Sequence, residues 1–74
     1  MTRVLSITGR LWYATKVIIL NIKEFDKIAN YPDINNFKDK SLFSGVCYKI
    51  PDNINNMFLS SYGVVDDHII ITVY

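Results

Sequence analysis

The sequence offers little that catalysis or metal binding could use. Its 74 residues contain one cysteine, one histidine, three glycines and two prolines. A single cysteine, Cys47, excludes an internal disulfide, so no disulfide framework supports this small fold. A structural zinc site wants about four ligands, mostly Cys and His, and the chain does not have them. Gly9, Gly45 and Gly63 are scattered, and no Lys-Ser/Thr follows a glycine-rich stretch, so no phosphate loop is encoded. There is no Asn-x-Ser/Thr sequon. Near the N-terminus the longest uncharged apolar run is Val17–Leu20, far short of the ~20 residues that span a bilayer. Trp12–Ile22 is interrupted by Lys16 and lacks a small-residue cleavage site, so no signal peptide and a cytoplasmic location are expected.

Charge of one sign is missing from each end of the chain. Residues 1–23 carry Arg3, Arg10, Lys16 and Lys23 and no acid. Residues 50–74 carry Asp52, Asp66 and Asp67 and no Lys or Arg. The whole comes to +1, which fits neither a polybasic nucleic-acid binder nor an acidic mimic of nucleic acid. Either the two ends lie together and neutralise each other, or a basic face and an acidic face meet different partners.

What is present is apolar. Half of the residues are hydrophobic and 20% are charged, which rules out a disordered tail. The length allows a single domain, 1–74. Ile, Asn, Lys, Asp, Tyr and Phe are favoured over Ala, Gly, Pro and Arg. The favoured residues have AT-rich codons, pointing to a low-GC bacterium or a phage or plasmid within one.

Three segments open on Asx followed by Ile and close near Phe: Asn21–Phe25, Asp33–Phe37 and Asn53–Phe58. An Asx side chain caps a helix by accepting from a free N–H of the first turn. The first segment adds Glu24 three residues on and a Leu20/Phe25 staple, so a helix over 22–30 is expected, ended by Tyr31-Pro32. The second and third segments share a longer echo, Pro32-Asp33-Ile34-Asn35-Asn36 and Pro51-Asp52-Asn53-Ile54-Asn55-Asn56. Ser44-Gly45-Val46 follows one and Tyr62-Gly63-Val64 the other, as a duplicated helix–Gly–strand unit would read.

Strands are expected over 3–8, 11–20, 42–50 and 68–74, with Leu42, Val46, Tyr48 and Ile50 on one face of the third. The expected fold is a small α+β two-layer sandwich, approximately ββααβαβ. Its four-stranded, mostly antiparallel sheet would carry two to three short helices on one face. Val17–Leu20 and Ile69–Val73 are nearly continuous apolar runs, which belong to strands buried on both faces. Helices on one face would leave the other for a second protomer, making a homodimer, unless the N-terminal segment folds over it as a hairpin.

No established catalytic motif is present. Cys47 and His68, oriented by Asp66 or Asp67, could in principle pair as nucleophile and base, but Cys47 reads better as a small buried hydrophobe. Asp66-Asp67-His68 reads as a solvated turn, since neighbours on an extended chain point to opposite faces. The expectation is therefore no enzyme, no metal and no cofactor. Trp12, Tyr13 and Lys16, with Arg3 and Arg10, form a basic-aromatic cluster. Such residues are hot spots in protein interfaces, and they also bind single-stranded RNA or DNA. The expected partner-binding residues are Arg10, Trp12, Tyr13, Lys16, Ile70 and Tyr74. The favoured function is a non-catalytic protein–protein interaction module of a phage or mobile element, one that inhibits or remodels a host defence or transcription complex. A small single-stranded RNA/DNA-binding domain is the alternative, and no membrane partner is expected.

Overall fold

Two strands made almost wholly of Val, Ile and Leu organise the molecule. In the computed structural model, which describes residues 1–31 and 33–74, they are β1 (Lys16–Asn21) and β4 (His68–Val73). They pair in parallel, with Val17 opposite Ile69 and Ile19 opposite Ile71. β2 (Phe43–Val46) pairs antiparallel with the outer side of β1, and β3 (Leu59–Val65) pairs antiparallel with the outer side of β4. The sheet order is β2-β1-β4-β3. The α+β class and the four-stranded, mostly antiparallel sheet agree with the sequence reading.

Side chains alternate across each central strand, so the apolar runs supply two cores. Ile18, Leu20 and Ile70 point to one face, where Phe37 seals them and Phe25, Ile28 and Ile34 pack around them. The cover is α2 (Ile22–Ile28) and α3 (Ile34–Asp39). Both helices start as Asx caps predict: Asn21 accepts from Lys23 N at 2.8 Å and Asp33 from Asn35 N at 2.8 Å. Phe25 and Phe37 stack with centroids 5.8 Å apart, locking the two helices together. Pro32, which opens the first echoed segment and completes the expected Tyr31-Pro32 stop, falls outside the described residues; α2 itself ends at Ile28, two residues short of the expected 30, and Tyr31 N donates to Ile28 O at 3.0 Å.

Val17, Ile19, Ile71 and Val73 point to the opposite face. Its cover is the chain itself: Val4 of the N-terminal segment, Cys47 and Ile50 around a 3-10 turn (Cys47–Lys49), and Ile54 of α4 (Asp52–Asn55). The premise of an uncovered sheet face, from which a homodimer was expected, therefore does not hold.

Several elements differ from expectation. Residues 3–8 were expected as a strand and contain helix α1 (Leu5–Thr8). Alternation over so few residues cannot separate the two, and what decides is the i, i+4 pair Val4 and Thr8, Val4 buried in the core on the sheet and Thr8 buried against Asn55 and Cys47. The N-terminal segment is therefore a helix-bearing cover and not a hairpin. The strand expected over 11–20 begins only at Lys16, after a turn closed by Thr15 N donating to Trp12 O. The strand expected over 42–50 stops at Val46 and coils into the 3-10 turn before Pro51. Its core side is the one with Phe43 and Cys47, while Leu42 and Tyr48 are exposed.

β3 was not anticipated at all, because Ser60, Ser61 and Gly63 hide its period. It carries a bulge between Leu59 and Ser61, where the buried Thr72 hydroxyl accepts from Ser61 N at 3.0 Å. The two echoed segments do fold alike. Each gives a short helix and then an edge strand, and α3 and α4 lie on opposite sheet faces.

β3 and β4 are joined by Asp66 and Asp67, both at positive φ (48° and 64°), the type I′ geometry that favours Asn-Gly. Replacing Asp67 with Gly should raise stability by about 1 kcal/mol, read as a shift in the urea midpoint at unchanged slope. Ile70 and Ile71 are both buried, on opposite faces. Lys at either position should therefore unfold the chain, not dissociate an assembly. A folded, dispersed NMR spectrum of Ile70→Lys would contradict this packing.

Candidate aromatic interface

The end of the sheet where β1 begins carries an exposed aromatic group. Trp12 and Tyr13 meet edge to face at 5.2 Å, and Tyr13 meets Tyr48 at 5.9 Å with the planes tilted by 56°. The three rings are 68%, 62% and 60% exposed. They are held from below by backbone: Tyr48 N donates to Tyr13 O at 3.0 Å and Cys47 N to Thr15 O at 2.8 Å. The turn at 12–15 and the 3-10 turn are thus laced together, which brings residues 35 positions apart in the chain into one surface. The Lys49 ammonium lies 5.8 Å from the Tyr48 centroid, close enough for a cation–π contact.

The expected partner-binding residues do not all gather here. Trp12 and Tyr13 form the patch, and Arg10 is exposed two residues before it. Lys16, also exposed, opens β1 beside it and lines a cavity on the α3 side of the sheet. Tyr74 lies at the other end of the sheet, where its N–H donates to Phe58 O at 3.2 Å. Arg3 is there too, bridged to Phe58 with its guanidinium 5.9 Å from that ring. The N-terminal basic-aromatic cluster is therefore split, because α1 carries Arg3 away from Trp12. Ile70 is 3% exposed beneath α2 and α3, so it has almost no surface to offer a partner.

Tyr48 and Lys49 escaped the sequence reading. In one alternating strand, Tyr48 would share a face with Val46 and Ile50, and Lys49 would point the other way. Only the 3-10 turn swings that ring outward. A shallow apolar groove of about 150 Å³ also runs beside β3, lined by Phe25, Gly63, Val65 and Ile70 among others.

The Cys47–His68 pairing is not formed. Cys47 is buried in the core under α1 and α4, its thiol donating to Thr8 O at 3.4 Å. His68 has the register of Ile70 and so faces the opposite side of the sheet, with Nδ1 2.8 Å from Asp66 O. Asp66 and Asp67 form the hairpin turn, and among the described residues no three His, Cys, Asp or Glu side chains converge as a metal site would require. No helix among them is long and apolar enough to cross a membrane. Compared with protein-family models, curated proteins and solved structures, the chain matches none.

Desolvation pushes the Cys47 thiol above its ordinary value. The folded state thus favours the neutral thiol. Its contribution to stability is complete below the ordinary thiol range and is lost as pH rises through the raised value. Alkaline loss of stability should accordingly be smaller in Cys47→Ala than in the parent chain. A thiol reagent should label native Cys47 only as fast as the chain opens, and at once in urea. Rapid stoichiometric labelling of the folded protein would show an accessible, reactive thiol instead.

Proposed function

We propose that this protein is a non-catalytic interaction module that docks a partner protein on the Trp12–Tyr13–Tyr48 surface. One observation carries the reading: three large aromatic rings touch one another and yet remain mostly exposed. A fully covered aromatic side chain buries about 150–250 Å², most of which is still open at each of these three residues, and Trp and Tyr dominate interface energetics. Their backbone supports hold them in place before a partner arrives, which lowers the ordering cost of binding. The rings are mutually tilted, so they form a ridged surface and not a flat platform for successive bases. That geometry suits a protein groove better than a single strand.

Because the chain covers both faces of its own sheet, a different protein is a better partner for this patch than a second copy. The AT-rich codon bias of the composition fits an accessory protein of a phage or mobile element that acts on a host complex, for example in defence or transcription. A second reading, single-stranded RNA or DNA binding, rests on Lys49 beside the Tyr48 ring, with Arg10 and Lys16 nearby to meet phosphates.

Trp12 is the only tryptophan, so its emission should shift to the blue when a partner covers it. Affinity capture from the host cytosol should enrich a protein with the parent chain and lose it with Trp12→Ala and with Tyr48→Ala, both variants keeping the parent's circular dichroism and melting temperature. Enrichment that survives both substitutions would remove the patch from the function. Micromolar affinity for a single-stranded oligonucleotide that falls with salt and disappears in Trp12→Ala would carry the second reading instead.

A further inference from the structure

Beside the aromatic surface, on the opposite side of β2 from Cys47, lies a cavity of about 300 Å³. It is lined by Lys16, Lys38, Ser44, Gly45, Val46 and His68. These residues come from four separate elements: the start of β1, the last turn of α3, the edge strand β2 and the start of β4. Three of the six are basic and none is acidic. Among the described residues the only ion pair is Lys27–Glu24, on the exposed side of α2, so neither Lys16 nor Lys38 is neutralised by a carboxylate within 4 Å.

We infer that this cavity binds a phosphoryl dianion. The two lysines bring a charge of +2, which matches a doubly charged tetrahedral oxyanion and would be only half compensated by a carboxylate. Lysine ammonium groups are strong point-charge donors to phosphate. The Ser44 hydroxyl adds a neutral donor on the same wall. His68 has one ring nitrogen committed: Nδ1 lies 2.8 Å from Asp66 O, and a carbonyl can only accept, so Nδ1 carries the proton. Nε2 has no protein partner among the described residues; on the neutral ring it only accepts, so His68 donates to the anion only as the imidazolium, and the two lysines and Ser44 carry the site.

The arrangement follows from the topology. Parallel pairing of β1 and β4 sets Lys16 and His68 at the same end of the sheet, one register position before Val17 and Ile69. Lys16 sits opposite Val46 and shares the face of Ile18, the face that α3 covers. α3 then delivers Lys38 from its C-terminal turn, where a cation is also favoured by the helix carbonyls. Asp66 and Asp67, the nearest acids in the chain to His68, are in the exposed hairpin turn and do not line the cavity.

The site does not depend on what docks on the aromatic patch. Its test is a titration of the isotopically labelled chain with inorganic phosphate, and separately with glycerol phosphate, at ionic strength held constant with chloride. Saturable shifts should gather on Lys16, Lys38, Ser44, Gly45 and His68. Lys16→Gln and Lys38→Gln should each weaken binding about fivefold or more. Lys23→Gln removes the same charge from exposed α2 and should leave the affinity within about twofold. Acetate should bind more weakly than phosphate. Equal affinity for the two phosphates makes the free ion the sufficient ligand; tighter binding of the monoester makes a phosphorylated molecule the ligand. Shifts that stay linear in phosphate, or that all three glutamine variants change alike, would overturn the site and leave only the general attraction of a basic surface.

Discussion

The structure depends on the burial of two adjacent, almost continuously apolar strands. A strand such as Val17–Leu20 has no side that can face water, and pairing it with Ile69–Val73 doubles the demand. Fully burying each Val, Ile or Leu contributes about 1.5–3 kcal/mol, so leaving one face of this pair open would cost a large share of the stability of so small a domain. The chain must therefore fold over both sides of its own centre. Everything outside β1 and β4 serves that requirement, as edge strand or as cover.

With 74 residues the covers cannot be long helices. On one face two short helices suffice because Phe25 and Phe37 stack and fill the space between them. On the other face the cover is assembled from pieces remote in sequence. The N-terminal segment is stitched to 57–59 by Val4 N to Met57 O and Leu59 N to Thr2 O, and Thr8 ties α1 to Asn55 at 2.9 Å. Helix followed by edge strand occurs twice, once for each face, so that the half containing α3 and β2 resembles the half containing α4 and β3. A two-fold axis along the strands would relate them: it keeps β1 and β4 parallel and exchanges the faces. The echo between the Asx-rich segments is thus matched in space.

The surface features are by-products of the same economy. The 3-10 turn that tucks Cys47 and Ile50 inward throws Tyr48 outward against Tyr13, and the tight turn before β1 leaves Trp12 on the outside. Parallel pairing of the two central strands puts their first residues, Lys16 and His68, on one side. The aromatic patch and the basic cavity therefore share an end of the sheet although their residues are spread from 12 to 68. A partner bringing both an apolar groove and a phosphoryl group would reach the two together, but each rests on its own residues.

The local signals in the sequence were sufficient at several places where one short stretch decides its own geometry, though not at Asn53, which lies inside α4 behind Pro51, an N-cap with no side-chain bond. Asn21 and Asp33 specify helix starts because their side chains reach an N–H two residues on, and the runs at 17–20 and 69–73, rich in β-branched residues, specify doubly buried strands because a strand with one wet face would alternate. The solitary cysteine and scattered glycines limited the chemistry for the same reason, being properties of composition. Tertiary structure decided the rest. Residues 3–8 satisfy a strand pattern and a helix pattern equally, and only the fit of Val4 to the sheet core and of Thr8 to Asn55 and Cys47 chose the helix. Ser60, Ser61 and Gly63 carry no strand signal, and β3 exists because the open edge of β4 offers its N–H and C=O groups a partner. Which side of β2 is core, whether Tyr48 is inside or out, and how Lys38 comes to lie beside Lys16 all depend on contacts between residues distant in the chain, and no periodicity within a short window encodes them.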